Sequence, residues 1–408
     1  MLNKTDQHLY YLNALFDLNL GGYATGKNSR SASEMSLLFA YMGDENDRVL
    51  LDVEMPEDFL YYLHSIKVKP LDPVGQKKES LYPVPWGWDV HTCEKFNNIG
   101  LKCDNPDLSI VKEVNSRRFH NIISNKHGLG VPGSTYCASI EDYLKTIKMF
   151  EGGELVVKPS FGGSGFGFRF LKNREQEIDF AEIETLMQHG GVVIEPWCKR
   201  VDDFSSSIFI HKDGSLSSIR HQRSFSNKYG AFIGIYLAPE DPLIDKYKFI
   251  QESAVKNAAR TLFTQGYFGP AGFDSFIYTD HNEKENIASV VEINARHSMS
   301  DVAHAIRNRY APQRWCFFRL MSKRRCCLPG DYNLWKDLIN GDHFNPDTQE
   351  GVILLTPLRL RLGNSSVQPL RNGFFISAKS ERELFERDER LRRVLEKICL
   401  KTTENEKF

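Results

Sequence analysis

The sequence predicts an α/β chain of mixed, α+β character, with short apolar strands set between amphipathic helices. Three stretches carry that reading. Residues 48–53 form an apolar run that reads as a buried strand, and Pro56 opens a helix over 57–64 directly after it. Residues 154–171, ELVVKPSFGGSGFGFRFL, read as a strand, a glycine loop and a returning strand. Two further strands, 271–278 and 288–294, follow a long helix over 244–265, and each carries an acid where an apolar residue would be expected.

The 408 residues suffice for two or three domains. Natural divisions fall near 112 and 325, giving an N-terminal α/β unit (1–112), a central unit (113–325) and a C-terminal α/β segment with a polar tail (326–408). Apolar residues make up 41% and charged residues 26%, as in ordinary globular proteins. A net charge of −1 supplies no basic field, so neither nucleic acid nor an acidic membrane surface is an expected partner. No apolar run approaches the roughly 18 residues of a membrane span. The first twenty residues are amphipathic and carry acids, unlike a secretory signal. Eight cysteines occur without a CxxC pair, and Cys326–Cys327 beside Lys323, Arg324 and Arg325 read as local packing. Free thiols in a reducing cytosol follow, hence a cytoplasmic location.

The elements follow in order. Residues 83–88, PVPWGW, form an aromatic turn, read either as a packed plug or as a cleft lining. Asp89 N-caps a helix ending at Gly100. Asn115-Ser116-Arg117-Arg118 opens a helix through Asn125, and Ser139 or Ile140 opens another ending at Phe150. After the glycine hairpin come a helix over 174–188 and a strand over 192–197. Segments 206–211 and 216–220 pair about the turn Lys212-Asp213-Gly214. Residues 220–234 read as a basic, glycine-punctuated mobile loop. Past the two acid-bearing strands, 312–323 is expected as a helix, 351–356 as a strand, and 383–396 as a charged helix whose charges face solvent.

Two clusters carry chemistry. Gly162, Gly163, Gly165 and Gly167 lie within six positions, beside Ser160 and Ser164. Such a loop exposes backbone N–H groups that wrap an anion, and Lys158 before it adds a point charge. The plain alternative is a tight hairpin with a surface lysine. Neither GxxxxGK[ST] nor GxGxxG occurs in this loop. In the second cluster, Glu292 and Asn294 share one strand face, and Asp274 on the partner strand can meet them. Two carboxylates and an amide oxygen suit a hard cation such as magnesium, whereas a solvent-exposed sheet face explains the same acids without a metal.

Taken together, VVKPSFGGSGFGF, VVIEPW with Asp202-Asp203, GPAGFDSF and VVEINARHSMS, in that order, resemble the ATP-grasp superfamily over about residues 115–307. The preceding unit is similar to that family's Rossmann-like N-terminal domain. The resemblance implies an ATP-grasp fold with ATP and Mg²⁺ (Mn²⁺ as the alternative) as cofactors. It implies that Lys158 reaches the nucleotide phosphates and that Gly162, Gly163, Ser164 and Gly165 close over them. Glu195, Pro196 and Trp197 match the adenine-recognising strand, and Asp202 or Asp203 the ribose acid. Asp274, Glu292 and Asn294 match the metal ligands. Arg296 matches the arginine that faces the transferred phosphate. One departure is Arg117, which stands where the family often has a second phosphate lysine; its planar fork is not equivalent to an ammonium.

The same resemblance implies an ATP-dependent carboxylate–amine ligase. Its substrates would be amino-acid- or peptide-like, it would work through an acyl phosphate, and a homo-oligomer is compatible with it. Arg220 and Arg223 offer further charges for a substrate carboxylate. The alternatives are a non-catalytic nucleotide-binding regulator and a carboxylase-type enzyme, though no biotinyl-carrier MKM motif occurs.

Overall fold

A computed structural model describes residues 7–23, 30–75, 81–150, 152–163, 165, 167–172, 180–227, 230–280, 282–323, 328–363 and 365–405. The N-terminal unit is a parallel sheet of β1 (Gln7–Tyr11), β2 (Arg48–Leu50), β3 (Asp72–Pro73) and β4 (Leu81–Pro85), in the order β3-β2-β1-β4. The sequence reading missed β1. Its carboxyl end is stitched to the aromatic turn: Trp86 N–H donates to the Tyr11 carbonyl at 2.7 Å, and Asn13 donates to the Gly87 carbonyl at 2.9 Å. The aromatic turn is therefore a packed part of this sheet edge, with Trp86 buried. Asp89 caps its helix, Val90–Asn98, as expected, accepting from Thr92 N–H at 2.7 Å.

A second, small sheet is antiparallel. It comprises β5 (Thr135–Cys137), β6 (Leu155–Pro159), β7 (Arg169–Leu171) and β8 (Val192–Pro196), in the order β5-β8-β6-β7. Helices Ile140–Met149 and Phe180–Gln188 cover one face, burying Leu155, Val157, Ile183 and Ile194 between them. The part of the expected 174–188 helix before Phe180 lies outside the described residues. The other face carries Lys158 and Glu195: Val156 is the register partner of Glu195, and Lys158 lies two residues on from Val156.

The large sheet is antiparallel and eight-stranded. Its strands are β9 (Lys199–Ile210), β10 (Arg220–Ser226), β11 (Phe232–Leu237), β12 (Gly269–Thr279), β13 (Glu285–Asn294), β14 (Trp315–Ser322) and β15 (Gly351–Leu354), with a small hairpin of β16 (Leu360–Leu362) and β17 (Ser365–Val367) before the last, β18 (Arg371–Ala378). The order is β13-β12-β9-β10-β11-β14-β18-β15. Helix Pro242–Thr264 backs one face, where Tyr247 meets Phe204 and Ile277. Helix Met299–Tyr310 lies on the other.

Three expectations are corrected here. Most of the expected 312–323 helix is instead strand β14 (Trp315–Ser322). Cys316, Phe317 and Phe318 are all buried, and a strand buried on both faces loses the alternation that marks strands in sequence. Residues 220–234 are not a loop; most of them belong to β10 and β11. After the turn at 212–214 only a single bridge forms at Leu216, and ladder pairing resumes at Arg220 opposite Ser207. Finally, residues beyond 326 do not stand apart: β18 and β15 continue the large sheet from β14.

Candidate active site

The site lies where the bare face of the small sheet meets β12 and β13, with helix Arg117–His127 between them. Helix and sheet are tied closely. Ser124 Oγ donates to the Val290 carbonyl at 2.7 Å, and Val290 N–H donates to the Leu129 carbonyl at 3.0 Å. His120 accepts from Ile293 N–H at 3.3 Å through Nδ1 and reaches the Val114 carbonyl at 3.1 Å through Nε2. Burial and the Arg117 guanidinium push this imidazole down to about 3, so it is a neutral strut. Asn115 clasps Ala295 by donating to its carbonyl (3.4 Å) and accepting from its N–H (2.9 Å).

Register decides which acids share the cleft. Asp274 and Glu292 are direct partners across β12 and β13, and Gly272 opposes Asn294. Asn294 donates its amide to Asp274 Oδ2 at 3.0 Å. On the other side of β12, Ser205 opposes Asp274 and Asp203 opposes Phe276. Asp203 thus shares the Asp274 face, while Asp202 alternates to the back face beside Phe204 and Ile277. There it accepts from Arg223 at 3.1 Å. Arg223 also lies against Tyr236 and Glu381, so the expected substrate arginine Arg223 is not brought to the cleft. Arg220 is on the cleft face, where it pairs with Asp301 at the start of helix Met299–Tyr310.

The cations converge from both sheets. Arg117 is buried and makes three hydrogen bonds. It donates to the Pro159 carbonyl (2.7 Å), the Gly162 carbonyl (2.7 Å) and Glu292 Oε1 (2.6 Å). It therefore braces the glycine loop against an acid of β13. Lys158 contacts Glu195, and Phe168 lies over both Lys158 and Arg117 at 5.4 and 5.2 Å. Burial, Arg200 and Arg117 push the Lys158 ammonium down to about 7; the Glu292 charge opposes this. Arg296 forks onto Asp17 of the N-terminal unit and lies 5.0 Å over Trp86. Asp17 was not legible in the sequence, because nothing local marks a helix residue whose partner is distant in the chain.

Within the loop, Gly162, Gly165 and Gly167 have positive φ, and Gly167 sits where a side chain would strike Pro159. Ser164 and Phe166 lie outside the described residues. Pro196 ends β8, and Trp197 packs edge-on against Phe170 at 4.8 Å and under Arg200.

The donor chemistry fits a divalent cation. Burial and the facing Glu292 carboxylate push Asp274 up to about 7, while Arg296 and Asn294 act the other way. Two facing carboxylates with an amide oxygen are the oxygen-donor chemistry that a hard cation takes. Among the described residues no group of three or more His, Cys, Asp or Glu side chains is set to hold a metal; the Asp274–Glu292 pair, with the Asn294 amide beside it, is smaller than such a group. No helix among the described residues is long and apolar enough to cross a membrane.

Glycine loop, facing sheets and a parallel N-terminal unit together define the ATP-grasp fold, and this chain has it. Among solved structures it is similar to N5-carboxyaminoimidazole synthetase of Staphylococcus aureus complexed with ADP (TM-score 0.54, 12% identity, covering 96% of this chain and 98% of that one). It is also similar to the biotin carboxylase domain of 2-oxoglutarate carboxylase of Hydrogenobacter thermophilus, in complex with MgADP, ADP and bicarbonate (TM-score 0.54, 11% identity, 92% and 87% covered). Among curated sequences it is similar to [butirosin acyl-carrier protein]–L-glutamate ligase of Niallia circulans, 24% identical over 197 residues. That match spans 47% of this chain and 45% of the relative, so the chain spans less than half of that protein's length. No family model matches the chain.

Proposed function

We propose that the protein is an ATP-dependent ligase that activates a carboxylate as its acyl phosphate and joins it to an amine, releasing ADP and phosphate. The observation that carries this is the facing of Asp274 and Glu292 across β12 and β13, in one cleft with Lys158, Arg296 and the glycine loop. Phosphoryl transfer needs positioning and neutralised charge more than covalent help, and this cleft supplies both.

The roles follow from position. Asp274, Glu292 and Asn294 would hold Mg²⁺, which when bound neutralises phosphate charge. Lys158 would contact the phosphates, with Gly162, Gly163 and Gly165 offering backbone N–H groups above them. Arg117 would hold the loop and Glu292 in place, since three of its N–H donors go to the Pro159 and Gly162 carbonyls and to Glu292. Asp203, not Asp202, would meet the ribose, because only Asp203 shares the cleft face. Glu195 to Trp197 would flank the base. Arg296 would take the acid and stabilise the transferred group. The relative's printed activity makes L-glutamate the first acid to try, and a carrier-protein acceptor the first alternative to a small amine.

The test is nucleotide turnover across amino acids and short peptides, with and without an amine acceptor. Acid-dependent release of ADP and phosphate, with a hydroxamate trapped by hydroxylamine, is the expected result. AMP and pyrophosphate, or label retained on denatured protein, would contradict the mechanism. Nucleotide binding without turnover would favour the regulator.

A further inference from the structure

Arg296 is gripped on every side but one. Its Nη1 donates to the His297 carbonyl at 3.0 Å, and its plane lies over Trp86. The remaining edge, Nε and Nη2, is the edge that matches a planar carboxylate with two parallel hydrogen bonds. Asp17 already occupies it: Nε donates to Oδ1 at 3.0 Å and Nη2 to Oδ2 at 2.9 Å.

The position of this carboxylate is informative. Asp17 sits on the short helix Phe16–Leu20, just past the carboxyl end of β1, where open parallel sheets receive ligands. It also touches the glycine loop: a Cβ built on Gly163 would lie 3.0 Å from Asp17 Oδ2 and 4.0 Å from Arg296 Nη2. An acid from the N-terminal unit therefore stands where the loop and Arg296 converge. Its side chain is 24% exposed against 9% for Arg296, so the acid is the more accessible partner of the pair.

We propose that Asp17 is a resident carboxylate that yields Arg296 to the substrate's carboxylate, so that binding of the acid is an exchange of partners on one guanidinium. This rests on the ligase reading above for the role of Arg296. The exchange keeps Arg296 from standing as an unpaired buried cation between turnovers. It also selects for substrate: a carboxylate replaces both hydrogen bonds, whereas an amide or alcohol leaves a charge and a donor unmet. A pair that merely ties the two units together would show none of this competition.

The experiment uses the full chain as wild type, Asp17→Asn, Asp17→Ala and Asp17→Glu. Sodium acetate and L-glutamate are titrated against each by thermal shift and calorimetry, with sodium chloride at matched ionic strength. The Asp17→Ala variant leaves room for acetate; the isosteric Asp17→Asn serves if the smaller side chain prevents folding. The expected result is saturable stabilisation of both neutral variants at acid concentrations at least tenfold below those wild type needs, a gap of about 1.4 kcal/mol. Chloride should not reproduce it, and Asp17→Glu should behave as wild type. The same acid dependence in all four proteins, or none in any, overturns the proposal and leaves a structural tie. MgATP binding by wild type is measured in parallel. Its absence alongside intact acid rescue would overturn the nucleotide reading and leave the exchange standing.

Discussion

Binding of nucleotide should draw a proton onto Lys158. Burial, Arg200 and Arg117 push the ammonium's ionisation down to about 7. Phosphate charge brought beside it favours the protonated form and raises that value. Proton uptake on binding should therefore be larger at pH 8 than at pH 6. Calorimetric titration of MgATP in buffers of different ionisation enthalpy counts these protons directly. The Lys158→Met variant gives the baseline, since it cannot titrate. Uptake that stays flat from pH 6 to pH 8, or that survives in Lys158→Met, would refute the assignment. The same shift fixes a stability trend. Between about 7 and 10.5 the unfolded chain holds the proton and the folded chain does not, so the lysine's cost is full below 7 and fades as pH rises toward 10.5.

Other outcomes follow from the same geometry. Glu292→Gln should abolish ADP release while circular dichroism stays native, because one of two facing carboxylates is neutralised without loss of volume. Arg117→Lys should cost about 1–3 kcal/mol in urea unfolding, since an ammonium lacks the planar fork that spans the two buried carbonyls and Glu292. Asp203→Asn should weaken nucleotide binding by about tenfold, a single charged hydrogen bond's worth, while Asp202→Asn leaves it unchanged. Equal effects of the last two would mean that the register argument has the wrong face.

Much of this was legible because it is local. Serines 116 and 139 announce their helices and cap them, accepting from Phe119 and Asp142 N–H. The glycine hairpin and the acid pair depend on alternation within one strand or between neighbours, which sequence displays. What could not be read depends on pairing between distant segments. Asp202 and Asp203 are equivalent in sequence until β12 sets the register of β9. The run WCFFRLMS hides its strand because both its faces are covered. Arg223 looked available because a basic stretch rich in glycine resembles a loop; two flanking strands make it a ladder instead. Asp17 meets Arg296 only once the N-terminal unit has docked.

The continuation of the large sheet past β14 bears on how the protein is made. Strand β14 emerges from the ribosome well before β18, yet Trp315–Ser322 pairs along its whole length with Arg371–Ala378. Until then it presents an apolar, unpaired edge of the kind that recruits other chains. The site-bearing strands are complete by Asn294, but their sheet is not closed until synthesis has passed residue 378. A chain stopped at residue 370 is therefore expected to pellet with its active-site residues all present, which a simple sedimentation assay reads. Completion of the large sheet is thus expected late in translation, and it depends on residues outside the candidate site.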